Sequence, residues 1–271
     1  MIRIAVEGPF DWAAMLGYFA PRAIRGVEQV ADDRYRRVTA EGQRLAVSWR
    51  ANGAGLAASL DEQSRVQRLF GLDVDHAAAL AALRRDPLVG VRVRSRSGLR
   101  VPGTWDPFET GVRAIVGQQV SVAGASTITA RVVARHGAPL GGGDTADALT
   151  HAFPPAAVLA EADLDGLGLT GARIGAIRGW AAAVADGSVR LDGSVPLDEL
   201  VESIVAVRGL GPWTAHYLAL RTGYADAFPV ADLGLQRTAG LDAKALASAA
   251  ERWRPYRALA AVHLWETPNS A

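Results

Sequence analysis

The chain has 271 residues, 49% of them hydrophobic, a formal net charge of +1 and no cysteine. That content supports real cores in one large domain or two to three small ones. It excludes disulfides, thiolate nucleophiles and cysteine-ligated iron–sulfur clusters. No apolar run is long enough to cross a membrane and the opening MIRIAVEGPFDW lacks the apolar centre of a secretory signal, so no membrane partner and a cytoplasmic location are expected.

The first third reads as a small α+β domain, residues 1–88. A helical stretch surrounds residues 12–20. Strands are expected at 35–39 and 45–49, with turn signals at Glu41-Gly42 and Asn52-Gly53, and a further helix at 62–70. Beyond Asp86-Pro87 the period becomes helical through residues 89–271. Phe108, Val112, Ile115 and Val116 share one helical face, as do Ala125, Ile128, Val132 and Val133 on the next. Residues 137–155, with the Gly141 to Gly143 triplet and Pro154-Pro155, read as a loop. Thr170 is placed to cap a helix over 172–186 that stops at Gly187. Further helices are expected at 197–207, 212–222, 233–239, 243–253 and 256–265.

The chemistry concentrates in residues 207–237. A Gly209-Leu210-Gly211 turn runs into Pro212, suited to the first turn of a helix. Glycines at 209 and 211 allow positive φ and a close approach to an anion, and the helix start behind them offers unpaired N–H groups. An ordinary turn between two helices is the alternative reading of this motif taken alone. Downstream, Asp232 stands alone in the apolar segment Phe228 to Gly234. It suits a helix N-cap before Leu233, and equally a carboxylate positioned for chemistry. Trp213 and Tyr217, four residues apart, share a helix face. The five histidines (His76, His136, His151, His216, His263) show no zinc spacing. His216 and His263 lie near these segments in either structural or functional roles. Arg92, Arg94, Arg96 and Arg100 read either as a solvated face or as phosphate contacts.

The 207–237 segment resembles the helix-hairpin-helix, Gly/Pro-rich loop and catalytic acid of the base-excision DNA glycosylase superfamily, and within it the AlkA-type DNA-3-methyladenine glycosylase II family. Matching segments run in family order along nearly the whole chain: Phe10-Asp11-Trp12 with Met15 to Tyr18, Phe108 to Ser121, Ala250 to Arg257, and His263-Leu264-Trp265. The resemblance implies an N-terminal sheet-and-helix domain similar to half of a TATA-binding protein. It also implies two helical subdomains flanking a cleft, about 113–228 and 89–112 plus 229–271. It places Tyr18 and Trp265 beside Trp213 and Tyr217 in a base pocket, and assigns DNA contacts to Gly209, Leu210, Gly211, Thr214, Gln118 and Gln119. A monovalent cation, Na⁺ or K⁺, is implied on backbone carbonyls near Gly209 and Gly211, with no side-chain metal ligands and no other cofactor.

On this resemblance the expected activity is hydrolysis of the N-glycosidic bond of alkylated bases in double-stranded DNA, by a stand-alone monomer. Asp232 would stabilise the cationic sugar and orient water. Ring faces would attract a cationic 3-methyladenine or 7-methylguanine. The base must be flipped out, and the Gly117 to Ser121 turn would fill the gap. The best-known member of the family places a leucine where this chain has Gln119, a less apolar wedge. Members of the wider superfamily that also nick DNA use a lysine near the hairpin; here that place holds Trp213, and Lys244 is the single lysine, so no lyase activity is expected. Excision of neutral lesions such as hypoxanthine or uracil, and an inactive DNA-binding protein, are the alternatives.

Overall fold

The computed structural model describes residues 1–50, 55–141 and 147–266. Five antiparallel strands form the N-terminal sheet: β1 (Ile2–Ala5), β2 (Glu28–Ala31), β3 (Arg34–Val38), β4 (Arg44–Arg50) and β5 (Gly55–Ala58), in the order β1-β5-β4-β3-β2. β3 and β4 are the two strands expected. The other three span four residues each, too few to show an alternation. The turn expected at Asn52-Gly53 lies outside the described residues. Tyr35 pairs with Val47 and Arg37 with Leu45, so all four share the buried face of the sheet. An arginine on a core face requires partners, and it has them.

The helices are α1 (Trp12–Phe19), α2 (Gln63–Leu69), α3 (His76–Leu83), α4 (Gly90–Ser95), α5 (Pro107–Val116), α6 (Val122–His136), α7 (Ala156–Glu161), α8 (Gly171–Ala185), α9 (Leu197–Ala206), α10 (Pro212–Arg221), α11 (Leu233–Ala239), α12 (Ala243–Ala250) and α13 (Arg257–Trp265). α12 tightens into a 3₁₀ turn at Glu251–Trp253, so the helix expected over 243–253 changes pitch near its end. Thr170 caps α8, its hydroxyl accepting from the Arg173 N–H. The loop expected over 137–155 instead carries a short antiparallel pair, β6 (Ala138–Pro139) with β7 (His151–Ala152). Gly142 and Gly143 lie outside the described residues. Two-residue strands held by tertiary pairing leave no periodic trace in a sequence.

Two apolar clusters organise the chain. Trp12, Met15, Leu16 and Phe19 of α1 pack with Tyr35, Leu45, Val47 and Phe70 against the sheet, and Trp105 joins them from far along the chain. The larger helical cluster contains Trp180 and Trp253, both fully buried, and takes in Ala79 and Leu83 of α3, Val93 of α4 and Val89 just before α4. A charged network joins sheet to helices. Arg37 meets Glu109 of α5 at 2.8 Å and Glu28 at 3.5 Å, while Arg113 of α5 meets the same two acids at 3.1 and 2.9 Å. Tyr35 donates its hydroxyl to Glu28 at 2.6 Å. Burial pushes the Glu28 carboxyl up, but Arg113, Arg37 and the Tyr35 hydroxyl outweigh it and hold it below the usual carboxylate range. Burial dominates at Glu109, whose carboxyl is raised. α5 is thereby locked to the sheet, and the turn that follows it, Gly117 to Ser121, is held over the cleft.

Candidate active site

Asp232 caps α11. Its Oδ1 accepts from the Leu235 N–H at 2.9 Å and from the Trp265 indole N–H at 3.0 Å; its Oδ2 accepts from the Trp213 indole N–H at 2.9 Å. The acid is the expected N-cap, and its carboxylate is also oriented by two indoles from helices 19 and 33 residues away in sequence. It is half-buried, leaving acceptor capacity on its open side.

The aromatic residues converge around it. Trp213 and Tyr217 stack at 5.3 Å between centroids with 11° between planes, and Trp265 meets Tyr217 edge-on at 6.4 Å. The Tyr18 and Tyr217 hydroxyls lie 3.3 Å apart. All four rings and Asp232 line one cavity of about 960 Å³, a size suited to a nucleoside-sized ligand.

One residue here carries no clear signal in the sequence. Arg221, on the last turn of α10, is 4% exposed and places its guanidinium carbon 4.5 Å from the Tyr18 ring, 5.0 Å from Tyr217 and 5.4 Å from Trp265. Its spacing of four from Tyr217 is the available hint, but an arginine at a helix end reads as a solvated dipole partner. Arg22 covers Tyr18 at 4.1 Å. Burial pushes the Tyr217 hydroxyl up, yet the Arg221 charge and the Tyr18 hydroxyl outweigh it and bring it down to about 8, whereas burial drives Tyr18 up to about 12.

At the hairpin, Gly209 has φ +93°, and a Cβ there would sit 2.9 Å from the Ala176 side chain of α8. Gly211 departs from the expectation. Its backbone is extended (φ −103°, ψ 177°), with no atom within 4 Å of a would-be Cβ, so neither strain nor packing demands glycine. It is the N-cap of α10 and supplies no side-chain cap, leaving the first N–H groups of that helix open. Leu210 and Thr214 are buried, Leu210 in the helical core, so their side chains anchor the hairpin and leave its backbone groups as the ones to meet a phosphate. Gln118 donates its amide to the Gly209 carbonyl at 3.2 Å, and Arg173 donates to the Gln118 carbonyl. Gln119 is exposed at the tip of its turn in the left-handed region (φ 57°).

The arginine cluster is spent internally. Arg96 pairs with Asp11 and Glu266, Arg92 donates to the Glu266 carbonyl, Arg94 to the Arg84 carbonyl, and Arg100 is buried on the Gly71 and Glu7 carbonyls. His216 and His263 do not line the cavity. Among the described residues no cluster of three or more His, Asp or Glu is placed to hold a metal ion.

The family model for the AlkA N-terminal domain matches residues 1–106. Escherichia coli DNA-3-methyladenine glycosylase 2 is 36% identical over 278 residues, covering 96% of this chain and 95% of its own length. The chain belongs to the AlkA family. A second relative in this family is the Mycobacterium tuberculosis protein named "Probable bifunctional transcriptional activator/DNA repair enzyme AlkA", 37% identical over 98% of this chain. The chain spans about half of that longer relative's length, 56%. The fold is shared with 3-methyladenine DNA-glycosylase from Archaeoglobus fulgidus at a TM-score of 0.81 and 18% identity, over 98% of this chain and 97% of that one. Family membership accounts for the sheet-plus-helices architecture and for the order of the matching segments.

Proposed function

We propose that this AlkA-family chain is a monofunctional DNA glycosylase that removes alkylated bases, of the 3-methyladenine and 7-methylguanine type, from duplex DNA and leaves an abasic site for base-excision repair. The observation that carries this reading is the Asp232 carboxylate, fixed by two indole N–H groups on the wall of an aromatic cavity. A flipped base would enter between the rings. As the C1′–N bond breaks, its electron pair leaves with the base and positive charge develops on the sugar. The carboxylate stabilises that charge; at about 4 Å and an effective dielectric near 20 this is worth about 4 kcal/mol. Water then adds to C1′ on the side Asp232 faces, and its proton passes to the carboxylate or to solvent.

The hairpin turn and the uncapped start of α10 would bind the phosphate backbone through N–H groups. A monovalent cation would sit on the hairpin carbonyls near Gly209 and Gly211. The Gly209 carbonyl accepts from Gln118 but keeps a second lone pair, so the residues present are compatible with it. Exposed Gln119, carried forward by a left-handed backbone, would occupy the space of the flipped base. A lyase step through lysine is not part of this reading, because Lys244 is exposed on α12 away from the cavity wall.

The test is release of free base from methylated duplex DNA by wild type and by Asp232→Asn. The expected result is 3-methyladenine with intact abasic strands from wild type, and a loss of about a thousandfold in the variant with DNA binding kept. If wild type binds DNA and frees no modified base, the reading fails.

A further inference from the structure

The charges on the cavity wall do not cancel one another pairwise. Asp11 and Glu266 pair with Arg96, and Glu28 and Glu109 with Arg37 and Arg113, while Asp232 is held by two indole N–H groups and forms no ion pair. Arg221 has no carboxylate within 4 Å among the described residues. Its guanidinium donates to the Pro102 carbonyl at 2.8 Å, and its Nε is buried with no hydrogen-bond partner. A buried cation without a counterion is costly to hold. Three aromatic rings and two phenol oxygens offset part of that cost, and those are the rings that surround the cavity beside Asp232. Arg22 adds a second cation with no carboxylate within 4 Å among the described residues, over the Tyr18 ring at 4.1 Å.

Such a charge acts oppositely on two kinds of base. A cationic base enters against it and departs neutral, so the repulsion that opposes entry is released on departure and the charge contributes nothing to the two steps together. A neutral base enters freely, but when the C1′–N bond breaks the electron pair leaves on the base as a purine anion, which takes a proton from solvent afterwards. A fixed guanidinium in a dry aromatic wall stabilises that anion as it forms.

We propose that Arg221 is a specificity-determining residue, whose unpaired guanidinium raises excision of neutral purine lesions such as hypoxanthine relative to cationic ones such as 7-methylguanine. This rests on the glycosylase reading above. The experiment is release of hypoxanthine and of 7-methylguanine from otherwise identical duplexes at sub-saturating enzyme, read as the ratio of the two second-order rate constants, which include base entry, for each enzyme preparation. Arg221→Gln removes the charge and leaves a polar amide on the shortened side chain; Arg221→Lys keeps the charge. Arg22→Gln removes the half-exposed cation at less risk to folding.

The expected result is a ratio at least tenfold lower in Arg221→Gln, within threefold of wild type in Arg221→Lys, and shifted the same way but less in Arg22→Gln. Partial misfolding scales both rates together and leaves the ratio unmoved. Should Arg221→Gln fail to fold, Arg22→Gln decides: a fallen ratio supports the field, and an unchanged one overturns it. A ratio within twofold of wild type in both neutral variants, or a wild type that frees 7-methylguanine and never hypoxanthine, overturns the proposal with the glycosylase reading intact. A wild type that frees neither base sinks that reading instead.

Discussion

Replacing Arg37 with Met tests what joins the N-terminal sheet to the helical region. The Arg37, Glu28 and Glu109 side chains are 2–3% exposed, and Arg113, at 24%, is the other cation of the group. Breaking a buried ion pair by removing one partner costs about 3–5 kcal/mol. Arg113 still touches both acids after the change, so the lower end, about 3 kcal/mol, is expected at neutral pH. That is a large share of a domain stability of roughly 5–15 kcal/mol. The penalty also depends on pH. Burial already raises the Glu109 carboxyl, and losing Arg37 raises it further. The folded variant then binds a proton that the unfolded chain does not, so its stability falls with rising pH, and the deficit against wild type shrinks as pH drops from 8 toward 5. Urea denaturation of both proteins at several pH values measures this. A deficit below about 1 kcal/mol at pH 8, or one that grows on acidification, would refute the reasoning. Because α5 carries the Gln118–Gln119 turn at its end, the variant is also expected to excise bases more slowly.

The two hairpin glycines should respond differently. Gly209→Ala forces a Cβ into positive φ and against Ala176, and should lower stability by about 1–3 kcal/mol in thermal or urea unfolding. Gly211→Ala should change stability by less than about 0.5 kcal/mol while weakening binding to abasic duplex, since its new methyl projects into open space at the start of α10. His263 is buried with an unpartnered Nε2, and burial, with His76, Arg96 and Arg92 nearby, takes it down to about 4. The unfolded chain therefore binds more protons between pH 6.5 and 4, so stability falls as pH drops through that window, by up to about 3 kcal/mol. His263→Leu should remove that share of the acid sensitivity in urea melts at pH 7 and 4.5. Equal acid sensitivity in both proteins would count against it.

Features encoded within a few residues are legible in the sequence itself. α11 begins and ends at the residues expected, because Asp232 caps it and Gly240 ends it in the left-handed conformation. The faces of α5 and α6, the turn at Gly42 and the positive φ of Gly209 belong to the same class. So does the family itself, through ordered local motifs. What the sequence leaves open depends on residues that meet only across the fold. The three four-residue strands exist because neighbours pair with them. Arg100 reads as a surface cation until the Gly71 and Glu7 carbonyls enclose it. Gly211 looks like a strained turn residue until its dihedrals place it in extended backbone. The four rings come from α1, α10 and α13, up to 247 residues apart, and only tertiary packing sets the 2.9 and 3.0 Å bonds that aim Asp232. Local propensity depends on spacing along the chain and can be read there. The charge balance of a cavity depends on which distant groups share a low-dielectric space, so the unpaired Arg221 was decided by the tertiary structure alone.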